Sequence, residues 1–372
     1  GGLTVSEILA DAPSPVFVLD EADLRGRAAS WSAAMAEEFW SGYGLRGGEA
    51  FYAGKAFLTT QVARIVLQEG MGIDTASRVE LAVGLAGLEK VDGPEATTHA
   101  RRLGLHGNGK TPAEVTTAVR HRVGHLVIDS PEEVDHAVAA VHELRRSGDF
   151  GADERARVMV RLTTGIHAGG HEYISTAHED QKFGLSVSTG AARRAIDAIV
   201  AADELELAGL HSHIGSQILD LAGFREAVGV VLGLRHEIAV DTGHLCPEVD
   251  LGGGYGIAYT GADPVAPSPA QVARTLAEAV RETCERLGDE VPTVSIEPGR
   301  AVAGPTTVTL YTVTGLKRVE LGEGASRLYV SIDGGMSDNI RPALYEAAYT
   351  ALVANRRPDP SAGLTRARVV GK

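Results

Sequence analysis

The sequence predicts an α/β chain: a (β/α)8 barrel of the TIM type, joined to a β-rich domain built from both chain ends. Three observations predict it. Eight short β-rich runs recur over about 250 residues, longer amphipathic stretches separate them, and helix-start chemistry follows several of the runs. With 372 residues, 44% of them hydrophobic, the chain can bury a core of that size. A doubly wound open sheet is the other arrangement of the same units.

In chain order the strands are predicted at 51–53, 71–74, 103–106, 125–129, 158–162, 207–213, 247–251 and 293–297. Four stretches, S-R-V-E (77–80), T-P-A-E (111–114), S-P-E-E (130–133) and S-P-A-Q (268–271), have capping-box form, three with proline at the first helical position. In such a box a hydroxyl and a carboxylate or amide each accept a backbone N–H at the helix start. The flanks differ: V-F-V-L-D (16–20), T-V-T-L-Y-T-V (307–313) and R-L-Y-V-S-I-D (327–333) are β-branched and alternating, with no helices between the last two. The expected division is an N-terminal segment of the β-domain at 1–30, the barrel at 31–302 and the C-terminal β-domain at 303–372.

Composition excludes several classes of partner. A formal net charge of −14 argues against nucleic acid and anionic membranes, both of which favour basic surfaces. No apolar run reaches the roughly 18 residues of a membrane span, and the N-terminus lacks signal-peptide character, so a cytoplasmic location is expected. Two cysteines, Cys246 and Cys284, have no metal-type spacing and read as structural thiols of a reducing compartment.

In a barrel, chemistry gathers at the C-terminal strand ends. There the sequence sets Lys55, Asp74, His106, His211, His213, Gly252 to Gly254, Glu297 and Arg300. Lys55, in F-Y-A-G-K-A-F, falls where a buried strand is expected, and a desolvated lysine gives up its proton readily and forms imines. His211 and His213 share a strand face and suit a metal in a barrel hydrolase, but no full ligand set accompanies them, so no metal is expected and His211 reads as a core histidine. Gly252 to Gly254 end a strand as a phosphate cradle or only as a tight turn. Glu297 with Arg300 reads as a structural ion pair, or as a carboxylate with work to do. Pyridoxal 5'-phosphate accounts for these residues together: its aldehyde suits Lys55, its phosphate the glycines, its ring a stacked histidine and its pyridine nitrogen an acid.

At these positions the chain resembles the fold-type III pyridoxal-phosphate decarboxylases, within them the diaminopimelate decarboxylases of actinobacterial type. The motifs are F-Y-A-G-K-A-F (51–57), L-H-G-N-G-K (105–110), E-Y-I-S-T-A-H-E-D-Q-K-F-G-L (172–185), G-L-H-S-H-I-G-S-Q (209–217), D-L-G-G-G-Y-G (250–256), E-P-G-R (297–300) and D-G-G-M-S-D-N-I-R-P-A-L-Y (333–345). The resemblance implies an alanine-racemase-type barrel with a β-domain, a homodimer with shared active sites, and decarboxylation of meso-2,6-diaminopimelate to L-lysine.

By position, Lys55 resembles the Schiff-base lysine and His213 the histidine stacked on the ring. Ser216, Gly253 and Gly254 match phosphate contacts, Glu297 the partner of the pyridine nitrogen, and Asp74 and Arg300 further cofactor-binding positions. Arg300, Arg341 and Tyr345 match contacts to substrate carboxylates. Two departures bear on this. D-T-A-S-R-V-E (74–80) lacks the family's usual Gly-Gly pair and leans toward the ornithine-type relatives. The chain also stops at R-V-V-G-K (368–372), before the family's Cys-Glu-x-x-Asp motif, so a truncated β-domain and slow turnover are expected. A decarboxylase of ornithine or arginine, or a non-catalytic paralogue, are the alternatives.

Overall fold

The computed structural model describes residues 2–42, 44–166, 182–322, 325–357, 359, 361 and 365–371. Among them fourteen strands run in chain order. These are β1 (Val16–Leu19), β2 (Gly48–Ala53), β3 (Gly72–Thr75), β4 (Leu103–Leu105), β5 (His125–Ile128), β6 (Ala156–Thr163) and β7 (Leu185–Ser186). The second seven are β8 (Leu205–Ser212), β9 (Glu248–Asp250), β10 (Thr293–Ile296), β11 (Thr307–Leu310), β12 (Val313–Gly322), β13 (Ala325–Ile332) and β14 (Ala367–Val370). The chain forms two compact units, one of Leu24–Ile257 and Val265–Gly304, the other of Gly1–Asp23, Ala258–Pro264 and Pro305–Lys372.

The larger unit is a closed parallel barrel in the order β2-β3-β4-β5-β6-β8-β9-β10, with β10 pairing back onto β2. All eight predicted strands are present; β7 is a two-residue addition alongside β6. The strands are short and apolar because a parallel barrel buries both of their faces. Every residue of β3, β4 and β5 is buried. Helices such as Thr60–Gln68, which buries Val62, Ala63, Ile65, Val66 and Leu67, cover the outside.

Helices begin at all four predicted boxes, but the cap chemistry differs. Thr111 and Ser268 form full reciprocal boxes. Ser77 accepts the Glu80 N–H, while the Glu80 carboxylate reaches one residue further back, to the Ala76 N–H. Ser130 makes no side-chain cap bond. Its box partner Glu133 turns inward instead, accepting the N–H groups of Lys110 and Asp129 and pairing with Lys110 Nζ at 2.7 Å. A buried ammonium without a partner costs more than a missing cap, so the carboxylate goes to the lysine.

In the smaller unit the two chain ends meet as expected. β1 runs antiparallel to β11, with Val16 opposite Leu310. The predicted strand at 307–313 is broken, Thr307–Leu310 pairing with β1 and Val313 opening β12. β12 and β13 are antiparallel, and β14 adds to β13 in parallel.

Candidate active site

β8, β9, β10 and β2 are neighbours, and their C-terminal ends carry most of the predicted site. Lys55 does not lie in the strand. It sits in the 3-10 turn Gly54–Ala56 just beyond β2 and is exposed, so the expected desolvated lysine is corrected to an accessible amine at a strand end. The turn is held closely on both sides. A Cβ on Gly54 would stand 3.1 Å from the Asp74 carbonyl oxygen, and one on Gly299 would stand 2.9 Å from Ala53 Cβ. The Lys55 charge is felt at Asp74, His106 and His213.

Beyond β10 comes Glu297, 3% exposed. It pairs not with Arg300 but with His211, whose Nε2 lies 3.1 Å from Glu297 Oε1. Of the two readings of Glu297, the structural ion pair with Arg300 is not formed; the carboxylate pairs with a histidine instead. Glu297 Oε2 is buried without a hydrogen-bond partner among the described residues, a costly state for a carboxylate oxygen and one that a protonated ring nitrogen would relieve. Arg300 opens the short helix Arg300–Ala303 and donates from Nη2 to Ser216 Oγ at 3.0 Å.

The glycine turn after β9 is built by close approach. The Asp250 carboxylate accepts the Gly252 N–H at 2.7 Å, and the Glu297 N–H donates to the Gly252 carbonyl at 2.9 Å. A Cβ on Gly253 would lie 2.2 Å from the Glu297 carbonyl oxygen, and one on Gly254 would lie 2.3 Å from the Gly215 carbonyl oxygen. Only glycine fits, and Gly254 also has φ +109. Gln217 sits at φ +61 and ties the two loops, its side chain donating to the Ile257 carbonyl and accepting the Ile257 N–H. Ser216, Gly254 and Arg300 thus belong to one cradle that suits a phosphate.

The Gly253 N–H donates to His213 Nδ1 at 3.2 Å, which leaves the ring hydrogen of neutral His213 on Nε2. Loss of water contact and the Lys55 charge push that imidazole well below its usual range. Deeper in the barrel, Asp74 meets His106. Burial pushes the Asp74 carboxyl up to about 7, and burial pushes His106 well down. His106 and His211 rings lie 6.1 Å apart. Next to them, Asp250 Oδ2 faces His125 Nδ1 at 3.4 Å.

The barrel therefore brings Lys55, His213, Ser216, Gly253, Gly254, Glu297 and Arg300 to one rim, with Asp74 buried beside His106 on the neighbouring β3. Arg341 and Tyr345 belong to the smaller unit. There Arg341 lies over the Tyr345 ring at 5.4 Å and donates to Tyr349 Oη at 3.0 Å. Residues 172–181 of the predicted motif lie outside the described residues. His211, read from the sequence as a core histidine, is fully buried, and the sequence assigned no role to Asp250, His125 and Arg161, all buried here. The period-two spacing of His211 and His213 was the one signal for His211. Two buried triads, Asp74–His106–Glu297 and His211–Asp250–Glu297, have ligating atoms within 4.8 Å, and His213 belongs to neither. A cavity of about 400 Å³ lined by Leu221, Pro267, Gln271 and Arg274 lies among the outer helices and contains none of the rim residues.

Comparison with known proteins identifies the family. Residues 23–304 match the model of the pyridoxal-dependent decarboxylases, pyridoxal binding domain. The diaminopimelate decarboxylase of Mycobacterium bovis is 42% identical over all of this chain and 77% of its own length. That of Corynebacterium efficiens is 42% identical over all of this chain and 74% of its length. The crystal structure of the enzyme from M. jannaschii, 26% identical, superposes with a TM-score of 0.79 over 92% of this chain and 73% of that one. The chain belongs to the pyridoxal-dependent decarboxylase family, and pyridoxal phosphate is its cofactor.

Proposed function

We propose that the chain decarboxylates meso-2,6-diaminopimelate to L-lysine at the rim formed by β2, β8, β9 and β10. The observation that carries this reading is the convergence there of an accessible amine, a buried carboxylate with one free oxygen and a glycine cradle. Similarity to diaminopimelate decarboxylases along the whole chain supports the substrate.

When bound, the cofactor supplies an electron sink for the pair released as the carbon–carboxylate bond breaks. The residues divide the remaining work. Lys55 is the covalent anchor, and its exposure gives an incoming amino acid access to it. Gly254, Ser216 and Arg300 would hold the phosphate through N–H, hydroxyl and guanidinium donors, and Gly253, whose N–H is given to His213, would shape the turn beside them. Glu297 accepts a hydrogen bond from the ring nitrogen and keeps it protonated. His213 would stack on the ring as a neutral imidazole, a state the Gly253 N–H favours by occupying Nδ1. Arg300 would contact a substrate carboxylate, its guanidinium fork suiting two-point binding. A homodimer with shared sites, in the cytoplasm, completes the reading.

Two measurements test it. Borohydride reduction of the loaded protein followed by peptide mapping places the label on Lys55; label on another lysine overturns the site. Release of carbon dioxide from meso-diaminopimelate exceeds that from ornithine and arginine; the opposite order transfers the chain to the ornithine-type branch that 74–80 resembles.

A further inference from the structure

We propose that His211 is a positioning residue that fixes the rotation of the Glu297 carboxylate, so that one oxygen stays free for the ring nitrogen. The proposal rests on the reading of Glu297 given above. His211 is 0% exposed and Glu297 3%, so neither group has water to fall back on. The backbone of Glu297 is pinned by its N–H bond to Gly252, which leaves the carboxylate rotation to be set by what the side chain touches. What it touches is His211 Nε2, at 3.1 Å from Oε1.

A buried carboxylate accepts the imidazole N–H, which consumes one oxygen and leaves Oε2 as the unpartnered one. His211 Nδ1 is likewise buried without a hydrogen-bond partner among the described residues, so the Glu297 contact is the one that holds the ring. The strand makes the arrangement economical: His211 and His213 stand two apart at the end of β8, so one strand end serves both Glu297 and the Gly253 N–H. His211 acts through Glu297 and does not itself meet the reacting atoms.

The test titrates cofactor-free protein with pyridoxal phosphate and with the analogue that carries carbon in place of the ring nitrogen, following fluorescence. His211→Asn, whose shorter amide falls at the Nδ1 position, weakens pyridoxal phosphate binding about tenfold and the analogue less than about twofold, as expected for loss of a charge-assisted contact. His211→Gln restores a donor at the Nε2 position and returns affinity to within about threefold of the parent. Equal weakening of both ligands by His211→Asn, or failure of His211→Gln to discriminate between them, overturns the proposal. The Gln variant decides alone should the Asn variant not fold. Glu297→Gln is measured in parallel. If Glu297→Gln weakens both ligands equally relative to the parent, the reading of Glu297 is at fault; if it weakens only pyridoxal phosphate while the His211 variants weaken both equally, only the His211 role falls.

Discussion

A methyl group at Gly253 would meet the Glu297 carbonyl oxygen at 2.2 Å, and backbone cannot yield as a flexible side chain does. Gly253→Ala is therefore expected to cost about 1–3 kcal/mol of stability by overpacking. It should also weaken cofactor binding more than tenfold (about 1.4 kcal/mol), because the displaced turn holds both His213 and the cradle; thermal melts and cofactor titration check the two effects. Asp74 makes a different prediction. Its folded carboxyl titrates near about 7, raised by burial against the pull of Lys55, with Asp250, His211 and His125 also acting on it. The unfolded value is about 3.9. Between the two the folded chain holds a proton that the unfolded chain has lost, so this group's contribution to stability falls as pH rises from about 4 to about 7. Cofactor-free parent protein should lose melting temperature relative to Asp74→Asn across that window. A constant difference between the two would contradict the assignment.

The helix starts divide into those held by their own caps and one whose cap partner is engaged elsewhere. Thr111→Ala and Ser268→Ala should each cost about 1 kcal/mol in denaturant unfolding, since each removes one acceptor of a reciprocal box. Ser130→Ala should cost less than about 0.5 kcal/mol, since its side chain caps nothing. Glu133→Ala should cost about 3–5 kcal/mol, because it leaves Lys110 buried without its carboxylate. The strands and helix starts were legible in the sequence because their signals are local: apolar runs buried on both faces, and box residues three apart. The diversion of Glu133 was not. Nor was the His211–Glu297 pair, whose members stand 86 residues apart, since no local pattern records which strand ends closure makes neighbours. Lys55 was expected at a strand end and desolvated; it stands just beyond β2 and is exposed, because sequence records position along the chain but not how much of the barrel mouth covers it.

At the scale of the whole molecule, no helix among the described residues is long and apolar enough to cross a membrane. The two thiols report on the barrel as a body. Cys246 and Cys284 are unpaired and buried, and burial pushes the Cys246 thiol up to about 12. A thiol reagent under native conditions should label both at the slow rate of barrel opening, and fast labelling of either would show local opening instead. The β2–β10 seam has a further consequence. Gly48 of the first barrel strand lies beside Val294 of the last, and the Ala53 N–H reaches the Pro298 carbonyl at 3.3 Å across the same join. The amine and the acid proposed to hold opposite ends of the vitamin therefore come from positions 242 apart in the chain, and they become neighbours only when the ring of strands shuts. A nascent chain still lacking β10 carries half a grip, so high-affinity capture of the vitamin marks a barrel that has finished closing.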